Sequence, residues 1–373
     1  MNRSVSEILD LKRLREYLSD LYGSEIKLKY FGELGKEKDT LTEPGIASAK
    51  EFGYGRPYLV EFEAKGKHVS LVLETMRSNI FGHEFAYDRA QSMLMAHSLF
   101  NRLPKHARSM DVGMFMKDAS LKSAGNYDEF FILMEKVEGQ EYYLDLERIG
   151  GEKRLTDLDT ERCQALSDYL VSIHGTKKNS PELYRRRTRE LIGHGECIMG
   201  LIDSYPPNLE FVSDNELESI EKKCVDWRWK LKNRAARLSQ VHGDFHPWNI
   251  LFKKGTELCV LDRSRGEWGE PADDLAAMTI NYLFFSLQAY GSLEGPFKAL
   301  YERFFDNYIK KTGDRQVLDV IQPYYVWRAL VVASPLWYPN LSLKIRKKLF
   351  NFICRLLDSE TLDPHRVNPL LEQ

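Results

Sequence analysis

Residues 241–252 read VHGDFHPWNILF and place His242, Asp244, His246 and Asn249 within eight positions, flanked by apolar residues. Three readings compete. The polar residues could be turn formers, zinc ligands of a hydrolase, or a catalytic loop with an aspartate base and a metal-holding asparagine. Polar groups buried without partners cost about 1–3 kcal/mol each, which disfavours four of them serving no purpose. A zinc site needs further His or Cys ligands, and nothing among the nine histidines supplies a second pair.

The next residues favour the third reading. KKGT (253–256) is a turn, and ELCVLD (257–262) is a second short strand ending in Asp262. Two short strands joined by a turn bring their outer ends together. Asp244 and Asn249, just before the first, therefore fall near Asp262, just after the second. Oxygen-only ligands of this kind suit Mg²⁺, which takes few protein ligands and keeps waters and substrate phosphates. Phosphoryl transfer uses such a set: one carboxylate orients the attacking hydroxyl, while an asparagine and a second carboxylate hold the metal against the phosphates.

Working outward, IKLKYF (26–31), YLVEFEA (58–64) and HVSLVLE (68–74) have strand composition, with KGK (65–67) as the turn between the last two. They predict an antiparallel meander. The Gly- and charge-rich stretch between the first two strands reads as a long loop. A helix is expected over about 84–103, closed by Pro104. FFILMEKVEG (130–139) reads as a buried strand running into a polar bend. Beyond it Leu166, Tyr169, Leu170 and Ile173 share one helix face, with Asp159 or Thr160 as the cap. Arg185, Arg186, Arg187 and Arg189 read as a solvated helix face. The expected fold class is α+β: an N-terminal antiparallel sheet lobe with one helix over 1–138, then a larger, mainly helical lobe over 139–373.

Composition narrows the classes. A length of 373 residues suits two lobes. A net charge of −2 gives no reason to expect nucleic acid. MNRSVSEILDLKRL lacks an apolar core of signal type, and ALVVASPLWY is too short for a membrane span. Five dispersed cysteines with no CxxC spacing read as reduced thiols. The expectation is a cytoplasmic protein with neither nucleic-acid nor membrane partners.

His242-Gly243-Asp244, His246, Asn249 and then Asp262 resemble the aminoglycoside phosphotransferase and choline kinase superfamily, relatives of the protein kinases. LMEKVEG (133–139) is similar to that family's inter-lobe hinge, LSDYLVSIH (166–174) to the helix before the catalytic loop, and GEPADDLA (269–276) to the segment after the metal-binding aspartate. Together, in order and spacing, these matches are specific. The resemblance implies a protein-kinase-like fold and transfer of the γ-phosphoryl of ATP to a hydroxyl of a small molecule. It makes Asp244 the base, gives Mg²⁺ to Asn249 and Asp262, and makes His242 structural and Asp274 the brace of the loop. It also lays backbone groups of Glu135 and Val137 on adenine, and Gly53 and Gly55 of GYG over the phosphates.

Two departures stand out. Glu74 lies near where the family carries a phosphate-binding base on its third strand; Arg77, Lys65 or Lys67 could substitute, with Glu84 or Asp88 as the paired acid. The alternative that follows is a nucleotide-binding pseudokinase acting as a regulator or scaffold. Arg263 and Arg265 follow Asp262 where other residues are usual. One of them could face the site, or both could form surface ion pairs with Glu267 or Glu270.

Overall fold

The computed structural model describes residues 9–34, 55–263 and 265–372. The chain divides into two compact units, Met1–Met134 and Glu135–Gln373.

The first unit is built on a three-stranded antiparallel sheet in the order β1 (Ile26–Glu33), β2 (Gly55–Ala64), β3 (Lys67–Met76). The β2–β3 ladder runs in unbroken register from Gly55 opposite Met76 to Ala64 opposite Lys67. Lys65 and Gly66 both have positive φ (51° and 73°), the backbone of a two-residue turn whose twist matches the strands. Strand alternation sends Val60, Phe62 and Ala64 to one face. There they pack against Leu14 and Leu18 of α1 (Leu11–Tyr22), a helix that sequence reading missed. Asp10 caps α1 through the amides of Lys12 and Arg13. The helix expected over 84–103 is α2 (Ala86–Phe100), and β4 (Gly113–Phe115) with β5 (Leu121–Ser123) forms a small hairpin.

FFILMEKVEG is not a buried strand. Residues 128–139 carry no strand, and Phe131 and Leu133 are each 90% exposed. A strand needs a ladder, and among the described residues none pairs with this run.

In the second unit β6 (Gln140–Glu141) leads into α3 (Tyr142–Glu152), α4 (Asp157–His174), α5 (Pro181–Gly193), α6 (Ile198–Asp203) and α7 (Asp214–Leu231). The cap of α4 is Thr156, with Asp159 completing a capping box three residues on. This corrects the expected cap, because the helix starts a turn earlier than its apolar stripe. The solvated reading of the α5 arginines is also corrected. Arg185 and Arg189 are exposed, but Arg186 is buried and meets Glu190, and Arg187 donates to the carbonyl of Trp268. Glu190, one turn along, meets both inward guanidinium groups, and the Trp268 carbonyl takes a second bond from Arg187.

The remaining elements are β7 (Ser239–Gln240), β8 (Ile250–Phe252), β9 (Leu258–Val260) and β10 (Trp268–Gly269), then α8 (Pro271–Tyr290), α9 (Gly295–Thr312), α10 (Gln322–Ala333), α11 (Leu343–Leu357) and α12 (Asn368–Leu371). α8 is buried along most of its length, with Leu275, Met278, Tyr282 and Leu283 fully enclosed, as a helix apolar on all sides must be. All five cysteines are free thiols. Among the described residues no helix is long and apolar enough to cross a membrane. The α+β organisation expected from the sequence is the one observed, a small antiparallel sheet unit followed by a mainly helical one.

Candidate active site

The site in the second unit starts from two short ladders. β8 pairs antiparallel with β9, Ile250 opposite Val260, and β6 adds to its other edge. One further bond, from the Leu261 amide to the Asn249 carbonyl at 2.8 Å, carries the ladder to the hairpin's open end. Asn249 and Asp262 are thereby held close, as the hairpin reading expects. β7 pairs with β10, which sets the segment before Asp244 beside the start of α8.

Pro271 opens α8, and Asp273 and Asp274 fill its first turn, where the helix's free amides favour negative charge. Asp274 turns back to the loop. Its carboxylate accepts from the amides of His242 (2.8 Å) and Gly243 (2.7 Å) and meets His174 Nε2 at 3.0 Å. Burial pushes this carboxyl up, but His174, His242 and the amide bonds hold it below its ordinary range. Gly243 sits at φ 85°, which favours glycine. His242 is buried, and its Nδ1 accepts from the Asp244 amide at 3.2 Å. The loop is therefore fixed through its backbone, and the Asp244 side chain is left to point elsewhere.

Asp244 is 8% exposed. Arg328 Nη1 donates to its Oδ1 at 2.5 Å, His246 Nε2 lies 3.6 Å from Oδ2, and Arg265 Nε lies 3.9 Å from Oδ1. Burial raises the Asp244 carboxyl, yet the charges of Arg328, His246 and Arg265 bring it below the usual range. Burial pushes the His246 imidazole down against the pull of Asp244. Asn249 Nδ2 donates to the Asp244 carbonyl at 3.1 Å, which leaves Oδ1 of that amide as the available oxygen. Asp262 is exposed, takes φ 53°, and forms no ion pair among the described residues. An amide oxygen and an unpaired carboxylate at one hairpin end form a donor set that fits Mg²⁺. Among the described residues no three His, Cys, Asp or Glu side chains converge as a metal cluster, so the zinc-hydrolase ligands do not assemble.

The arginine alternatives resolve differently for the two residues. Arg263 donates to the carbonyls of Val241 and Glu267. Arg265 pairs with Glu196 at 2.8 Å and lies over the Trp327 ring near Asp244. Glu270 binds neither of them; Arg237 holds it at 2.7 Å and Tyr184 donates to it. Of the remaining expected contacts, Glu135 and Val137 lie in the segment before β6 that is neither helix nor strand, Glu135 exposed. In the first unit Glu74 is exposed opposite Pro57, Arg77 is exposed just past β3, and Gly55 begins β2. Gly53 lies outside the described residues. Asp88 accepts from the Phe85 amide at the start of α2. Arg328, Asp273 and Glu196 were not expected at the site. No local motif marks Arg328, because its spacing to Asp244 is a property of packing.

The sequence model of the phosphotransferase enzyme family (APH) matches residues 118–317, more than half of the chain. Among curated proteins nothing matches. Similar solved structures include a Plasmodium vivax ethanolamine kinase (15% identity, 91% of this chain and 82% of that one, TM-score 0.35). An amicoumacin kinase in complex with AMP-PNP, Ca²⁺ and Ami is similar at 15% identity (84% and 89%, TM-score 0.40). A choline kinase from Cryptosporidium parvum Iowa II is similar at 11% (93% and 85%, TM-score 0.31).

Proposed function

The chain belongs to the phosphotransferase enzyme family, and from that premise we propose that this small-molecule phosphotransferase moves the γ-phosphoryl of ATP to a hydroxyl of its acceptor, with Asp244 as base. The observation that supports the reading is the braced loop beside the hairpin's open end: Asp274 holds the His242 and Gly243 amides, Asn249 Nδ2 donates to the Asp244 carbonyl, and the Leu261 amide, next to Asp262, bonds the Asn249 carbonyl. Asp244 orients the acceptor hydroxyl and takes its proton. Its depressed carboxyl keeps it ionised at neutral pH, ready to accept. Asn249 and Asp262 would hold Mg²⁺, which when bound neutralises charge on the phosphates. Gly53, Gly55, Arg77, Glu135 and Val137 are the nucleotide contacts of the same proposal. The pseudokinase alternative is not favoured, since that trio serves the chemical step and its metal.

A thermal-shift titration with Mg·ATP on wild type and Asp262→Asn tests the metal site. Ligand at 100 times its Kd adds about 2.7 kcal/mol of apparent stability, so wild type should rise in Tm and the variant should not. Release of ADP from Mg·ATP, with water and then a panel of hydroxyl compounds as acceptors, tests the transfer. No shift in wild type across a wide nucleotide range would sink the proposal.

A further inference from the structure

Arg328 lies on α10, far along the chain from the loop it serves. It is 6% exposed, and its guanidinium reaches three acceptors. Nη1 donates to Asp244 Oδ1 at 2.5 Å; Nη2 donates to the Gly243 carbonyl at 2.9 Å and to Asp273 Oδ1 at 2.7 Å. Its plane covers the Trp327 ring at 3.7 Å from the centroid, and the Trp327 indole is itself held by the Glu196 carbonyl at 3.0 Å. A planar fork can span two carboxylates and a carbonyl from a fixed position; a lysine ammonium cannot.

The consequence falls on the two oxygens of Asp244. Oδ1 is taken by Arg328. No hydrogen bond among the described residues reaches Oδ2, whose neighbour His246 Nε2 stands at 3.6 Å. A carboxylate is a soft rotor about its last torsion, and a buried guanidinium on one oxygen stops that rotation. We propose that Arg328 is a positioning residue that locks the Asp244 carboxylate through Oδ1 and so assigns Oδ2 to the acceptor hydroxyl. The inference rests on Asp244 being the base. In the transfer the acceptor oxygen forms its bond to the γ-phosphorus and the bond from that phosphorus to the β–γ bridging oxygen breaks. ADP leaves with that electron pair, and the acceptor proton passes to Oδ2.

The test is a double-mutant cycle on the full chain, with Mg·ATP as substrate and water as the hydroxyl acceptor, read as ADP release. Arg328→Met should lower kcat by about 10²-fold, the scale of a displaced catalytic group, with KM for ATP unchanged. Arg328→Lys should recover part of that loss, and it carries the cycle if the methionine variant does not fold. In the Asp244→Asn background the same changes at Arg328 should have little further effect, because the group they position is gone. A role in the fold alone would lower both backgrounds by the same factor and overturn the inference. Wild-type kcat in Arg328→Lys and Arg328→Met, with Asp244→Asn impaired, would overturn it and leave the base standing. Full turnover in Asp244→Asn would remove the base, and the inference with it.

Discussion

Two hairpins in this chain are made by the same rules and held by different forces. The β2–β3 hairpin has ten residues on each strand and a tight turn, one face packed on α1 and the other open, with Val72 and Glu74 exposed. It can be read from its own alternation. The β8–β9 hairpin has three residues on each strand, too few to stand alone in water. Ile250 and Phe252 are wholly buried in the helical core, and β6 covers its edge. Its geometry is imposed from outside, which lets the ends of the strands carry Asn249 and Asp262 without relying on their own propensities. A long self-supporting hairpin tolerates exposure; a short one embedded in a core holds polar groups to a fixed geometry.

The comparison breaks most sharply on activity. Asp244→Asn should lower kcat by about 10²–10⁴, the scale of a positioned base, in an ADP-release assay, while substitutions at Val72 on the open hairpin face should leave it unchanged. Next comes the brace. Asp274→Ala strands the buried amides of His242 and Gly243 and removes the partner of His174. It should cost about 3–5 kcal/mol in urea unfolding, the scale of breaking a buried ionic network.

The same carboxylate sets a pH dependence. Its folded pKa lies below the unfolded value of about 3.9. Its contribution is therefore complete above that value and is lost as pH falls through the depressed folded one. Stability measured from pH 5 to pH 2 should fall less steeply in Asp274→Asn than in wild type.

Smaller effects separate the two hairpins mechanically. A Cβ on Gly139 would sit 2.9 Å from Leu251 Cβ and 3.2 Å from the Phe252 carbonyl, so Gly139→Ala should destabilise the embedded hairpin by about 1–3 kcal/mol. Gly66, in the turn of the long hairpin, has open space around it and φ 73°. Gly66→Ala should cost only the backbone term of about 1 kcal/mol, read as a small shift in urea midpoint. An equal effect at both glycines would erase the distinction.

Much of the fold was legible because its signals are short-range. Alternation gave β1, β2 and β3 to within about three residues at either end, and a polar turn between two apolar runs placed Asn249 across from Leu261, next to Asp262. Two local readings failed where burial depends on neighbours. Phe130–Met134 has the composition of a core strand but stands exposed, and Arg186 and Arg187 have the composition of a surface but turn inward. The helix α1 was missed although Leu14, Tyr17, Leu18 and Leu21 fall at i, i+3, i+4 and i+7, and Leu14, Tyr17 and Leu18 of that face pack on the sheet.

The α+β order, the two hairpins and the acidic first turn of α8 were all legible along the chain. Packing of distant helices settles which cation meets which carboxylate: Arg328 donates to Asp244 with Arg265 at 3.9 Å beside it, and Arg237 rather than either loop arginine holds Glu270. The difference is one of range. Turns, ladders and helix starts depend on residues a few positions apart. The partner of a buried charge depends on which helices pack together, and the pattern along the chain does not encode that.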